Sequence, residues 1–229
     1  MKTYLICSGG LDSVSLAYIL AERGDLHGIL SFNYAQRHKK ELFFAKLCAD
    51  KLGVPFDLID ISSIGQAMSN TALTGDICVP DGHYAEESMK ITVVPNRNAI
   101  FLSIAFGLAS AKGANQVALA VHGGDHFIYP DCRPDFINSF AVMENYSLEG
   151  SVGLYAPFVQ KTKADIVSLG SKVNTPFIET WSCYKGLELH CGRCGTCVER
   201  REAFFCAGVE DPTLYFDDNF WKTQIGLRH

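Results

Sequence analysis

Residues 3–7 form a short apolar run, residues 13–22 carry apolar side chains at helical spacing, and Ser8-Gly9-Gly10-Leu11-Asp12-Ser13 joins them. A strand that enters a helix through so tight a glycine turn is the opening of an α/β unit. The rhythm continues: Gly24 ends the first helix, residues 26–32 read as a second strand, residues 36–52 as a long amphipathic helix closed by Gly53, and residues 56–61 as a third strand. This βαβαβ order predicts a Rossmann-like parallel sheet with helices on both faces, whose ligands bind beyond the carboxyl ends of the strands.

The loop therefore lies where a ligand is expected. Gly9 and Gly10 let the backbone turn tightly and approach an anion, while Ser8, Ser13 and the helix N-terminal amides offer donors to phosphate oxygens. The chain contains neither Gly-x-x-x-x-Gly-Lys-Ser/Thr nor Gly-x-Gly-x-x-Gly, which excludes the ordinary kinase-type and dinucleotide loops. Asp12 would repel phosphate unless a divalent cation lay between them, so Mg²⁺ is expected with a bound triphosphate. The plainer alternative is a glycine turn in which Asp12 or Ser13 merely caps the helix.

Residues 63–95 interrupt the alternation with Gly65, Gly75, Pro80 and Gly82, and irregular excursions of this kind often carry substrate contacts. The pattern resumes with a helix at about residues 98–112, a strand at 117–121, a helix after Pro134 and another at 162–173. After Pro176 the composition turns to Trp, Cys, Gly and Arg, dividing the chain into a nucleotide-binding domain (1–175) and a metal-organised segment (176–229). There Cys183-x7-Cys191-x2-Cys194-x2-Cys197 brings four thiols into 15 residues. Four sulfurs suit a closed, structural Zn²⁺ site. An iron–sulfur cluster is the rival, although the Cys-Pro of ferredoxin runs is missing and the next cysteine is Cys206. The other cysteines read as small core or loop residues, with Cys132 the exception in a polar loop.

Three polar segments are expected to face the loop. Arg97 and Asn98 precede a helix and can point toward phosphate or a base, with Asn98 as a simple cap the alternative. Residues 122–134 follow a strand and carry His122, Asp125, His126, Tyr129, Asp131 and Arg133. Asp125 or Asp131 suits an aminopyrimidine edge, and Arg133 a carboxylate or phosphate; the histidines can equally brace the loop. Lys161 and Lys163 open a helix against its dipole, a conflict that an anionic ligand would relieve at Lys163. Trp181 or Tyr184 can stack on a purine-like ring or belong to the core.

Lys and Arg number 20 against 25 Asp and Glu, a net charge of −5, which disfavours a chain built to hold nucleic acid. A small-molecule substrate is expected. The longest nearly apolar stretch, residues 100–111, is far short of the ~20 residues that span a bilayer, and the N-terminal run is too short for a signal peptide. A cytoplasmic protein is expected.

At the level of motifs, Ser8-Gly-Gly-Leu-Asp-Ser13 resembles the pyrophosphate loop of the N-type ATP pyrophosphatases, the adenine nucleotide alpha-hydrolase-like fold. Adding Val94-Pro-Asn-Arg-Asn98, Gly124-Asp-His126, Tyr129-Pro-Asp-Cys-Arg133, Lys163-Ala-Asp-Ile-Val167, Thr180-Trp-Ser-Cys-Tyr184 and the Cys191, Cys194, Cys197 triplet, the chain resembles the 7-cyano-7-deazaguanine synthase family over nearly its whole length. Asn96 departs from the pattern, where glycine is expected. The resemblance implies ATP-dependent conversion of 7-carboxy-7-deazaguanine and ammonia to the nitrile, on the route to queuosine, by a homodimer. It implies ATP contacts at Cys7, Ser8, Gly9, Gly10, Leu11, Asp12, Ser13, Val14, Ser15, Leu16 and Ala17, catalytic roles for Asp12, Lys163 and Arg97, and substrate contacts at Asn98, Asp125, Tyr129, Asp131, Arg133 and Trp181. Zn²⁺ falls to Cys183, Cys191, Cys194 and Cys197. The competing readings are a tRNA-thiolating ATP pyrophosphatase, with Cys132 or Cys7 as the sulfur carrier, and a nucleotide-binding module without turnover.

Overall fold

In a computed structural model, residues 1–226 other than 38, 69 and 76 are described. Position 38 of the expected second helix and positions 69 and 76 of the excursion thus lie outside the described residues. Five parallel strands, β1 (Thr3–Ile6), β2 (Leu26–Asn33), β3 (Phe56–Asp60), β4 (Gln116–Ala118) and β5 (Gly153–Tyr155), form one sheet in the order β3-β2-β1-β4-β5. The direction of winding reverses between β1 and β4. A crevice opens at such a point beyond the strand ends.

Alternation along β1 divides the core. Tyr4 and Ile6 face one side with Leu102, Ala105 and Phe106 of α4 (Arg97–Ala111) and Phe140 of α5 (Pro134–Ser147). Leu5 and Cys7 face the other, with Leu16 and Leu20 of α1 (Leu11–Glu22), Ala45 and Ala49 of α2 (Lys40–Leu52), Ile166 of α6 (Lys163–Lys172) and Phe204 of α7 (Gly195–Ala207). Helices thus cover both faces, as the apolar pattern requires of a parallel sheet. Two short helices, α3 (Ser62–Ala67) and α8 (Phe220–Gln224), complete the α-helices among the described residues. None of the helices is long and apolar enough to cross a membrane.

Several boundaries differ from expectation for local reasons. The second helix begins at Lys40 rather than at 36 because Gln36 folds back, its amide accepting from Tyr34 N–H at 2.9 Å and donating to Phe32 O at 3.1 Å. The fourth strand stops at Ala118, and the rest of the expected run, Leu119 to Val121, leaves the sheet to line the crevice. Three-residue β5 escapes periodicity altogether. Thr162 caps α6 in a reciprocal box with Asp165 and so fixes Lys163 as its first residue.

The four-cysteine segment has a small core of its own, where Trp181, Tyr215 and the cysteines pack with Ala72 and Val79 of the excursion. The excursion docks on it: Gly82 N–H donates to Arg193 O at 3.1 Å, and Asp81 accepts from Arg193 Nε at 3.0 Å. Gly192 turns the chain at φ +75°, and a Cβ there would meet Asp217 O at 2.0 Å. Backbone must move to admit it, so Gly192→Ala is expected to destabilise by about 2–4 kcal/mol. A chemical-denaturation midpoint unchanged from the parent would contradict this.

Candidate active site

The crevice between β1 and β4 is a cavity of about 200 Å³ whose wall includes Cys7, Ser8, Gly10, Asp12 and Ser13 from the loop and Leu119 to Val121 from beyond β4. Tyr34 and Glu41 come from around α2, Arg97 and Asn98 from the start of α4, Asp125, Tyr129 and Cys132 from the following turns, and Tyr84 and Tyr184 from the excursion and the C-terminal segment.

The loop is built for close packing as much as for a ligand. Gly9 adopts φ +85°, and a Cβ there would meet Glu41 O at 2.2 Å and Ala45 N at 2.8 Å. Its freedom is demanded by helix α2, and Gly9 is not in the cavity wall. Of the nucleotide contacts expected at residues 7–17, Leu11, Val14, Leu16 and Ala17 also lie in the core behind the wall, and Ser15 is fully buried. Ser13 Oγ donates to Gly10 O at 3.1 Å and Ser8 Oγ accepts from Gly10 N–H at 3.3 Å, which holds the turn open.

Titratable groups from three elements, α6, α7 and the turn after β4, meet beside Asp12. Lys163 Nζ lies 2.6 Å from Glu199 Oε2 and 3.3 Å from Asp12 Oδ2. His122 is 1% exposed and accepts from Gly124 N–H through Nδ1 at 3.1 Å. Its Nε2–H therefore faces Asp125, Glu199 and Asp12 at 3.6, 3.8 and 3.9 Å. Asp12 Oδ1 is buried with no hydrogen-bond partner among the described residues. Burial alone would raise the Asp125 carboxyl, but the His122 and Lys163 side chains beside it and the 2.7 Å hydrogen bond from Tyr84 Oη outweigh it and hold it below the usual range. Burial likewise opposes the Lys163 charge, and Asp12, Glu199 and Asp125 together raise its pKa.

The second wall is aromatic and basic. Burial works against the Arg97 charge, yet Tyr34, Tyr184, Tyr129 and Asp131 around it keep the guanidinium charged. Its ring partner Tyr129 is 5.8 Å away and shares a 2.8 Å hydrogen bond with Thr92. Asn96, in place of the expected glycine, adopts φ +60°. Asparagine is among the side chains that best tolerate this conformation, so the turn survives the departure.

Three expected substrate contacts are otherwise engaged. Asp131 Oδ2 accepts from Asn98 N–H at 2.8 Å and so caps α4 itself, while the Asn98 amide braces Asp131 O and Cys132 Sγ, both at 3.2 Å. Arg133 is exposed, donates to His126 O at 3.0 Å and lies outside the cavity wall. Trp181 is core: its indole N–H donates to Cys183 O at 2.8 Å and its ring stacks on Phe44. Tyr184, the other aromatic of that pair, is the one in the wall. Glu199, Glu41 and Tyr84 are absent from the sequence reading. Only Glu199 carried a signal, two positions after the last cysteine of the cluster.

Glu41 is buried in the wall, and burial pushes its carboxyl up to about 8 despite the Arg97 charge. The folded chain then holds a proton that the unfolded chain releases near pH 4.5, so stability falls as pH rises from there to about 8, by up to about 1.4 kcal/mol per pH unit. Glu41→Gln is expected to flatten that slope in denaturation measured at pH 5 through 8; a slope unchanged in the variant would refute the assignment.

The sulfurs of Cys183, Cys191, Cys194 and Cys197 all lie within 4.8 Å of one another and are buried. Cys191 and Cys197 are 3.8 Å apart, the separation that metal–sulfur bonds of ~2.3 Å give in a tetrahedron. Backbone N–H groups of Arg193 and Cys194 donate to Cys191 Sγ at 3.4 and 3.2 Å, contacts that favour a thiolate. Cys206, by contrast, is exposed and outside the cluster. The four cysteines can hold a metal ion. The four-cysteine segment also reaches the glycine loop, for the Trp181 backbone N–H donates to Gly9 O at 2.9 Å.

Residues 2–208 match the family described as "Queuosine biosynthesis protein QueC". The chain belongs to the QueC family. It is 64% identical to the 7-cyano-7-deazaguanine synthase of Brucella anthropi over the whole of both chains. To that of Rhizobium rhizogenes it is 66% identical over 97% of this chain and 95% of the other. Among solved structures, the NMN synthetase of Francisella tularensis superposes at a TM-score of 0.50 with 14% identity, covering 100% of this chain and 87% of the other. That likeness concerns the fold alone.

Proposed function

We propose that this chain is a 7-cyano-7-deazaguanine synthase, a C–N ligase that converts 7-carboxy-7-deazaguanine and ammonia to the nitrile at the expense of ATP. The observation that carries the reading is full-length identity of 64–66% to curated synthases of that name. A carboxylate is a poor electrophile at neutral pH. Its oxygen attacks the α-phosphorus of ATP, pyrophosphate leaves, and ammonia displaces AMP from the acyl adenylate to give the amide. The amide oxygen attacks a second ATP in the same way, pyrophosphate leaves, and loss of AMP and both N–H protons leaves the nitrile. Acid and amide differ at one heavy atom, so one pocket serves both rounds.

The residues divide this work by chemistry. Ser8, Ser13, the first amides of α1 and Lys163 bind the phosphates and offset charge on the departing pyrophosphate. Asp12 Oδ1, buried without a partner, suits a Mg²⁺ ligand; Mg²⁺ bound with ATP would supply further charge neutralisation there. Arg97 orients the anionic reactant. Asn98, Tyr129 and Tyr184 line the base pocket, with Asp125 held as a charged acceptor at its edge; Asp131, Arg133 and Trp181 act through the fold. Cys183, Cys191, Cys194 and Cys197 would hold Zn²⁺ as a closed structural site, within a division at 1–175 and 176–229.

A net charge of −5 supports small-molecule substrates over RNA, in a cytoplasmic homodimer. Thiolation gains no support from the cysteines it requires: Cys7 and Cys132 are both buried, and burial pushes the Cys132 thiol up. AMP and pyrophosphate release tests the reading. Sustained release of both is expected only when 7-carboxy-7-deazaguanine and ammonium are both present, the acid alone giving no more than one pyrophosphate per site; release indifferent to the deazapurine would contradict it.

A further inference from the structure

Lysine is a poor instrument for precise placement, since its ammonium ends a flexible four-carbon stem. The Thr162–Asp165 box fixes the backbone at the start of α6 but leaves that stem free, and the helix dipole there repels a cation. The side chain is nonetheless held from two sides, by Glu199 Oε2 at 2.6 Å and by Asp12 Oδ2 at 3.3 Å. An ammonium has three N–H donors, so this arrangement leaves capacity for a further anion.

Glu199 is itself fixed. It stands on α7, which begins at Gly195 inside the four-cysteine segment, two positions after Cys197. Its other oxygen lies 3.8 Å from His122 Nε2. A Cβ on Gly124 would meet that oxygen at 2.8 Å, so the missing side chain at Gly124 makes room for it. The carboxylate is thus seated between Lys163 and the turn after β4, and it is only 12% exposed. We propose that Glu199 is the positioning residue for Lys163, and that through this pair the four-cysteine segment sets the geometry of the nucleotide site. The proposal rests on Lys163 contacting ATP phosphates, as argued above.

The test is a double-mutant cycle in the metal-loaded full chain. Glu199→Gln keeps the shape of the side chain and removes its charge. It is expected to lower kcat by about 10²-fold, with KM for the deazapurine, metal content and thermal midpoint as in the parent. On a Lys163→Met background the same change is expected to cost nothing further, because its partner is gone. Should Glu199→Gln add its full loss to Lys163→Met, or should metal content and midpoint fall in step with kcat, the positioning role is overturned. The same cycle is read in the Kd for ATP with Mg²⁺ by calorimetry, independently of nitrile formation. A parent that binds ATP yet forms no nitrile counts against the synthase reading alone, and the Kd cycle then decides on Glu199; a parent that binds no ATP overturns both.

Discussion

Asp12→Asn is expected to lower nitrile formation by about 10²–10³-fold while leaving the fold intact. Asp12 lines the cavity and pairs with the Lys163 ammonium at 3.3 Å through one oxygen, while the other is buried without a hydrogen-bond partner among the described residues. An amide of the same shape removes the negative charge that a cation on the triphosphate requires. It can also turn its NH₂ toward the Lys163 ammonium, donor against donor. Folding should not suffer, because an unpartnered buried oxygen costs stability rather than supplying it. Steady-state turnover and thermal melting on one preparation check both halves. Parental turnover would refute the role of Asp12, and a collapsed midpoint would show that the carboxylate holds the loop together.

Cys194→Ser should act in the opposite order, first on the fold and then on activity. Cys194 is fully buried, its N–H donates to Cys191 Sγ at 3.2 Å, and it caps the helix that carries Glu199. A serine hydroxyl does not replace a thiolate ligand. Structural zinc supplies ~10–16 kcal/mol in small metal-organised units, so loss of one ligand should destabilise on the order of 5 kcal/mol. Metal content by mass spectrometry should fall from one ion per chain toward none. Turnover should follow, because the contacts of the segment with the loop, Trp181 to Gly9, and with α6, Glu199 to Lys163, depend on that packing. A metal-free variant with the parental midpoint would contradict the structural role of the ion.

The parallel sheet was legible because burial on both faces writes continuous apolar runs and because the glycine loop marks the first strand's end. The cysteine spacing was legible for a similar reason: four ligands on a short segment must converge locally. What failed was long-range convergence. Asp131 serves α4 across a 33-residue separation, and nothing in its neighbours distinguishes a cap for a distant helix from a base acceptor. Trp181 and Tyr184 both pack on the small core of the four-cysteine segment, yet only the Tyr184 ring reaches the cavity wall, a difference that three residues of sequence do not announce. Glu199 reads as an ordinary helix-surface carboxylate until α7 packs on α6. The alternation of β5 was too short to detect at three residues.

Mass spectrometry of the base reads the reaction itself. Purified, metal-replete protein is incubated with 7-carboxy-7-deazaguanine, ¹⁵N-ammonium, ATP and Mg²⁺. Accumulation of 7-cyano-7-deazaguanine carrying one ¹⁵N is expected, with the labelled amide appearing before it. Unchanged acid, in a sample that is folded and binds ATP, would refute the synthase assignment.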